Sequence, residues 1–115
     1  ARIDHAVQVN GYNVYPKRIA AVIAEHRLVK TARVRLHEHD SGTSLKALIV
    51  PSQDADAMPV DEIIAQVREE LMNQLARIEV PRTFTVASHV PLNDMGKETD
   101  WDPNADLIGY PVNEG

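Results

Sequence analysis

One lysine in this chain stands in a setting that chemistry can use: Pro91-Leu92-Asn93-Asp94-Met95-Gly96-Lys97. Proline, a polar loop and a glycine deliver a single long cation at a turn tip. Lys30 and Lys46 fall instead within strand-like runs, where a lysine usually solvates one face. Lys97 is placed as if its ammonium must reach something outside its own domain. Asn, Asp and Gly also favour turns for purely local reasons, so this stretch alone reads as a plain surface turn. A second segment near the N-terminus changes that reading.

That segment is Arg2-Ile3-Asp4-His5-Ala6-Val7-Gln8-Val9-Asn10-Gly11-Tyr12-Asn13-Val14-Tyr15-Pro16. Residues 6–9 and 12–15 are short β-like runs around Asn10-Gly11. Asn-Gly between such runs signals a tight hairpin, because both central residues of the turn take positive φ. Pro16 then opens a helix, where its missing N–H costs little. Ile19, Val22, Ile23 and His26 recur at helical spacing to about His26. From Val29 the period becomes two. Ala32, Val34 and Leu36 point one way, and Thr31, Arg33, Arg35 and His37 the other, which predicts a half-buried strand. Asp40-Ser41-Gly42 turns the chain, and residues 45–50 return as a more apolar strand.

A polar loop between Pro51 and Pro59 leads to a second helix over about 61–76. Its Ile63, Val67, Leu71 and Leu75 share a face, and Asp61 and Glu62 suit the positive end of its dipole. Thr83 begins a short strand with Phe84 and Val86 on one face, and the Lys97 loop follows. The expected fold is α+β: a small antiparallel sheet flanked by helices, preceded by a two-stranded hairpin. Residues 1–100 form the domain. Residues 101–115 have no period and read as a tail or linker.

Composition bounds the function. The chain has 115 residues, enough for one domain. A net charge of -5 argues against nucleic acid or an anionic membrane as main partner. No apolar run approaches the roughly 20 residues of a membrane span. With no cysteine there is neither disulfide nor thiol catalysis, which fits a cytoplasmic protein. His37-x-His39 has the spacing of a metal ligand pair, but a third fixed ligand is not evident, and no metal site is assigned. The chain begins at Ala1, inside a dense pattern, and reads as a fragment of a longer protein.

The N-terminal segment resembles the hinge motif of the adenylate-forming superfamily, which includes acyl- and aryl-CoA ligases, luciferase and the adenylation domains of peptide synthetases. Val80-Pro81-Arg82 with Phe84 is similar to that family's Val-Pro-x-x-Phe stretch, and Pro91 to Lys97 to its closing Pro-x-Thr-x-x-Gly-Lys motif. Order and spacing agree over 2–100, and what they resemble is the family's mobile C-terminal domain.

The resemblance implies a two-step acid–thiol ligation. A carboxylate attacks the α-phosphate of ATP, giving an acyl-adenylate and pyrophosphate; the thiol of CoA or of a carrier-protein phosphopantetheine then displaces AMP. A cation bridging the carboxylate and the α-phosphate offsets their repulsion, and lysine, a compact charge with three donors, suits that task. The resemblance assigns Lys97 as the adenylation lysine, with Gly96 shaping its turn. It assigns Asp4 to the hinge, Arg2 to the ribose or phosphate of the nucleotide, and Gly11, flanked by Tyr12, to the pantetheine tunnel. Plain turn, surface and hairpin roles stand beside these for Asp4, Arg2 and Gly11. The implied partners are the protein's own N-terminal domain, where Mg and the nucleotide belong, a carboxylic acid, and CoA or a carrier protein. A stand-alone interaction or regulatory module with the same fold is the alternative. Gln8, Ala20, Asn93 and Met95 depart from the family's usual residues and mark a divergent member.

Overall fold

A computed structural model describes residues 6–39 and 42–101. Strands β1 (Val7–Val9) and β2 (Tyr12–Val14) pair antiparallel around Asn10 and Gly11. Both turn residues take positive φ, 52° and 86°, as the Asn-Gly pair requires. Pro16 is the first residue of α1 (Pro16–Ala24), and the Tyr15 carbonyl accepts the Ile19 N–H at 3.1 Å. The helix ends two residues before His26. There the His26 ring nitrogen Nδ1 accepts the Leu28 N–H at 3.1 Å and the His26 carbonyl accepts the Val29 N–H at 3.0 Å, turning the chain into β3.

β3 (Val29–His39) and β4 (Gly42–Pro51) form a long antiparallel ribbon, with Arg33 opposite Leu48 and Arg35 opposite Lys46. A short 3₁₀ turn (Gln53–Ala55) leads to α2 (Val60–Gln74), which stops where Leu75 becomes extended. A second 3₁₀ turn (Arg77–Glu79) precedes β5 (Thr83–Val86). The α+β class and the leading hairpin are as the sequence predicts. The three-stranded sheet, in order β3-β4-β5, is mixed and not wholly antiparallel: β5 runs parallel to β4. A parallel neighbour needs a crossover of a dozen or more residues, and the β4–β5 connection, which carries α2, supplies it.

Both helices cover one face. Ile19 and Ile23 of α1 and Ile63, Val67 and Leu71 of α2 meet Ala32, Val34, Leu45, Ala47 and Ile49 of the sheet in one core. Each fully buried isoleucine contributes about 1.5–3 kcal/mol of transfer free energy. Alternation along β4 sends Leu48 and Val50 to the opposite face, where they pack with Ala87 and Trp101. Trp101, the residue at which the tail was expected to begin, is therefore part of the fold. Residues 102–115 lie outside the described residues.

Candidate functional site

The Lys97 loop is clasped by one side chain. Asn93 Oδ1 accepts the N–H groups of Met95 at 2.8 Å and Lys97 at 3.0 Å. The Asn93 carbonyl accepts the Gly96 N–H at 3.0 Å, and the Asn93 N–H donates to the Lys97 carbonyl at 2.8 Å. Leu92 and Glu98 form a bridge, and Thr99 N–H reaches the Pro91 carbonyl at 3.0 Å. Gly96 has φ 81°, and a Cβ there would meet nothing within 4 Å, so the glycine is needed for backbone conformation alone. Lys97 is exposed at the end of this loop. Two apolar side chains beside it are also exposed, Met95 at 81% and Leu92 at 57%.

The segment that follows Lys97 is fastened to the back of the sheet. Glu98 receives two hydrogen bonds from the Arg33 guanidinium, both 2.8 Å. Asp100 meets Lys46 Nζ at 2.8 Å and Arg35 at 3.7 Å. Lys46 Nζ also donates to the Trp101 carbonyl at 2.6 Å and lies 5.1 Å from the centre of the Trp101 ring. Lys46 is only 3% exposed. It does not solvate a strand face, as its position in the sequence suggested: β4 is the central strand, and both its faces are covered. The continuous apolar run around Lys46 was the available signal, because such runs mark strands buried on both sides.

The charges answer to these contacts. The Arg33 hydrogen bonds hold the Glu98 carboxyl below its usual range, against a smaller upward pull from burial and with help from the Arg33 and Arg35 charges. Burial pulls Asp100 upward, but the Lys46 hydrogen bond, a backbone hydrogen bond at Trp101 and the Lys46 and Arg35 charges together outweigh it and leave the carboxyl lowered.

Gly11 and Tyr12 lie at the other end of the ribbon. Both are exposed, Tyr12 at 64%, on the β1–β2 turn. The hairpin rests on the start of β4: Thr43 Oγ1 donates to the Gln8 carbonyl at 3.3 Å, and a Cβ on Gly42 would lie 3.9 Å from Asn10 Oδ1. Thr43 is opposite Glu38, five residues along β3 from the Arg33 that holds Glu98. At about 3.3 Å per residue the two anchor points are about 17 Å apart along the strand. The hairpin that carries Gly11 and Tyr12 and the segment that carries Gly96 and Lys97 are thus anchored at different points of the ribbon. Arg2 and Asp4 lie outside the described residues. Among the described residues no group of three or more His, Cys, Asp or Glu side chains is arranged to hold a metal, and no helix is long and apolar enough to cross a membrane.

No protein-family model matches the chain. It is 33% identical over 97 residues to tyrocidine synthase 3 of Brevibacillus parabrevis, a match that covers 84% of this chain and 1% of that protein. It is 23% identical over 99 residues to the medium/long-chain-fatty-acid–CoA ligase FadD8 of Mycobacterium tuberculosis, covering 84% of this chain and 17% of that one. Among solved structures it is similar to ATP-bound MatB of Rhodopseudomonas palustris, at 30% identity and a TM-score of 0.66, over 81% of this chain and 18% of that chain. The chain spans less than a fifth of each of these proteins.

Proposed function

We propose, from the resemblance of this chain to the C-terminal domain of the adenylate-forming enzymes, that it is the mobile domain of an AMP-forming acid–thiol ligase. The observation that carries this reading is the Lys97 loop. It presents an ammonium at the end of a clasped turn, beside two apolar side chains that nothing in the described chain covers. A loop so composed suits insertion into a site formed by another domain, where low dielectric strengthens a cation's pull on two anions.

In the first half-reaction a carboxylate oxygen attacks the α-phosphorus of ATP, and the bond to pyrophosphate breaks. Lys97 bridges the carboxylate and the α-phosphate and stabilises the charge that gathers there; it transfers no proton. Gly96 sets the turn, and Arg2 reaches the ribose or phosphate of the nucleotide. In the second half-reaction the domain swings about Asp4, and the Gly11 turn replaces the Lys97 loop at the site. A thiol, from CoA or a carrier-protein phosphopantetheine, attacks the acyl carbon and AMP leaves. Gly11 lets the thiol arm pass close to backbone, with Tyr12 at its side. The chain alone is inactive on this reading, because the pockets for acid and nucleotide lie in the N-terminal domain.

Lys97→Ala in the intact protein tests the assignment. ATP–pyrophosphate exchange falls about 10²–10³-fold, by analogy with the loss of a preorganised oxyanion donor. Thioester formation from supplied acyl-adenylate is largely spared. An equal loss in both half-reactions, or none in exchange, refutes the role given to Lys97.

A further inference from the structure

We infer that Lys46 and Arg33 are positioning residues for Lys97, latching the segment after it to the sheet so that the ammonium keeps one place relative to the domain. The inference rests on the adenylation role proposed above for Lys97. Neither residue touches a reacting atom; each acts through the segment that carries the lysine.

Residues 98–101 belong to no regular strand, so the ladder of the sheet does not hold them. Two side-chain latches do. The Arg33 fork takes both oxygens of Glu98, the residue next to Lys97, in a geometry that fixes direction as well as distance. Lys46 fixes the far end by binding the Trp101 carbonyl at 2.6 Å and Asp100 at 2.8 Å from beneath. Trp101 lies over Lys46 at 5% exposure and keeps water from the shorter contact. Above the latches, the loop is held at its base by the Thr99–Pro91 hydrogen bond and the Leu92–Glu98 bridge. Releasing Glu98 and Asp100 therefore unfastens this base from the sheet and lets Lys97 shift relative to the domain. A displacement of about 1 Å at a reacting group costs on the order of 10²-fold in rate.

The test compares Lys46→Met, which keeps side-chain length and removes the charge and donors, with Arg33→Glu alone and Arg33→Glu combined with Glu98→Arg. Arg33 and Glu98 are 40% and 41% exposed at their side chains, so the exchanged pair re-forms without burying a new charge. In the intact protein, Lys46→Met and Arg33→Glu are expected to lower kcat for pyrophosphate exchange about ten- to a hundredfold. The KM for ATP stays within about twofold, as expected for an interaction that matters only in the transition state. Thioester formation from supplied adenylate is unchanged, and the double exchange restores the first half-reaction. Hydrogen exchange at the Gly96, Lys97 and Thr99 amides rises in the two single variants and returns in the double one. Wild-type exchange kinetics in Lys46→Met and Arg33→Glu, an unrescued double variant, or equal loss in both half-reactions overturns the positioning role. Lys97→Ala is measured alongside. If it retains pyrophosphate exchange, the adenylation reading falls and takes the positioning role with it. If it loses exchange while the latch variants do not, only the latch falls.

Discussion

Replacing Lys46 separates two contributions that its buried position combines. Lys46→Met keeps the aliphatic stem against Trp101 but removes the donor to the Trp101 carbonyl and the partner of Asp100. A buried carbonyl left without a donor costs about 1–3 kcal/mol. Asp100 adds little, because its side chain is 61% exposed and water replaces the lysine. The larger penalty of about 3–5 kcal/mol for a fully buried pair that loses one partner does not apply. The desolvation cost of the lysine itself is relieved, which trims the loss to about 1–2 kcal/mol. Lys46→Ala also removes three methylenes from the interior, at about 0.8 kcal/mol each, for a total of about 3–5 kcal/mol. Urea unfolding of the chain measures both. Trp101 is the one tryptophan in the sequence and is buried over Lys46, so its fluorescence reports the latch directly. Equal midpoints for Lys46→Met and wild type would show that the hydrogen bond to Trp101 contributes no net stability. Equal losses in Met and Ala would show that the stem is not packed.

Two further predictions come from other parts of the fold. Gly11→Ala introduces no clash, since a Cβ there meets nothing within 4 Å, but it forces an L-residue to φ 86°; stability falls by about 1–2 kcal/mol, and in the intact protein the thioester step slows more than pyrophosphate exchange. Acid should loosen the segment after Lys97: Glu98 and Asp100 are held below their ordinary values of 4.5 and 3.8, so their contribution is complete above those values and lost as pH falls through the lowered ones. Trp101 fluorescence titrated between pH 7 and pH 2 should therefore stay flat to about pH 4.5 and change below it, and a transition centred near neutrality would refute the assignment.

Much of the fold was legible because single residue types have single physical uses. Asn10-Gly11 could only be a tight hairpin turn, Pro16 suited the first turn of a helix, and the alternation from Val29 could only be a strand with one wet side. The end of α1 was displaced because His26, counted as a helical position, turns its ring onto the Leu28 N–H instead. The direction of β5 was not legible: four residues of alternating pattern pair equally well either way, and the choice is made by α2 crossing the sheet. At the candidate site, the motifs at the two tips are legible in the sequence and the contacts that support them are not. Gly96 and Lys97 stand in a recognisable motif. Arg33, Lys46 and Trp101 act only through partners 65 and 55 residues away in sequence, and no local pattern encodes such pairs.

The length of the β3–β4 ribbon has a consequence for the order of events. The hairpin that carries Gly11 and the segment that carries Lys97 are anchored at points about 17 Å apart along β3, so each tip projects from its own part of the ribbon. If the proposed ligase reading holds, timing is then imposed by occupancy and needs no difference in affinity between the two steps. An agent that jams the swing leaves each protein molecule with a single spent turnover: one pyrophosphate released, one adenylate stranded, and no thioester made.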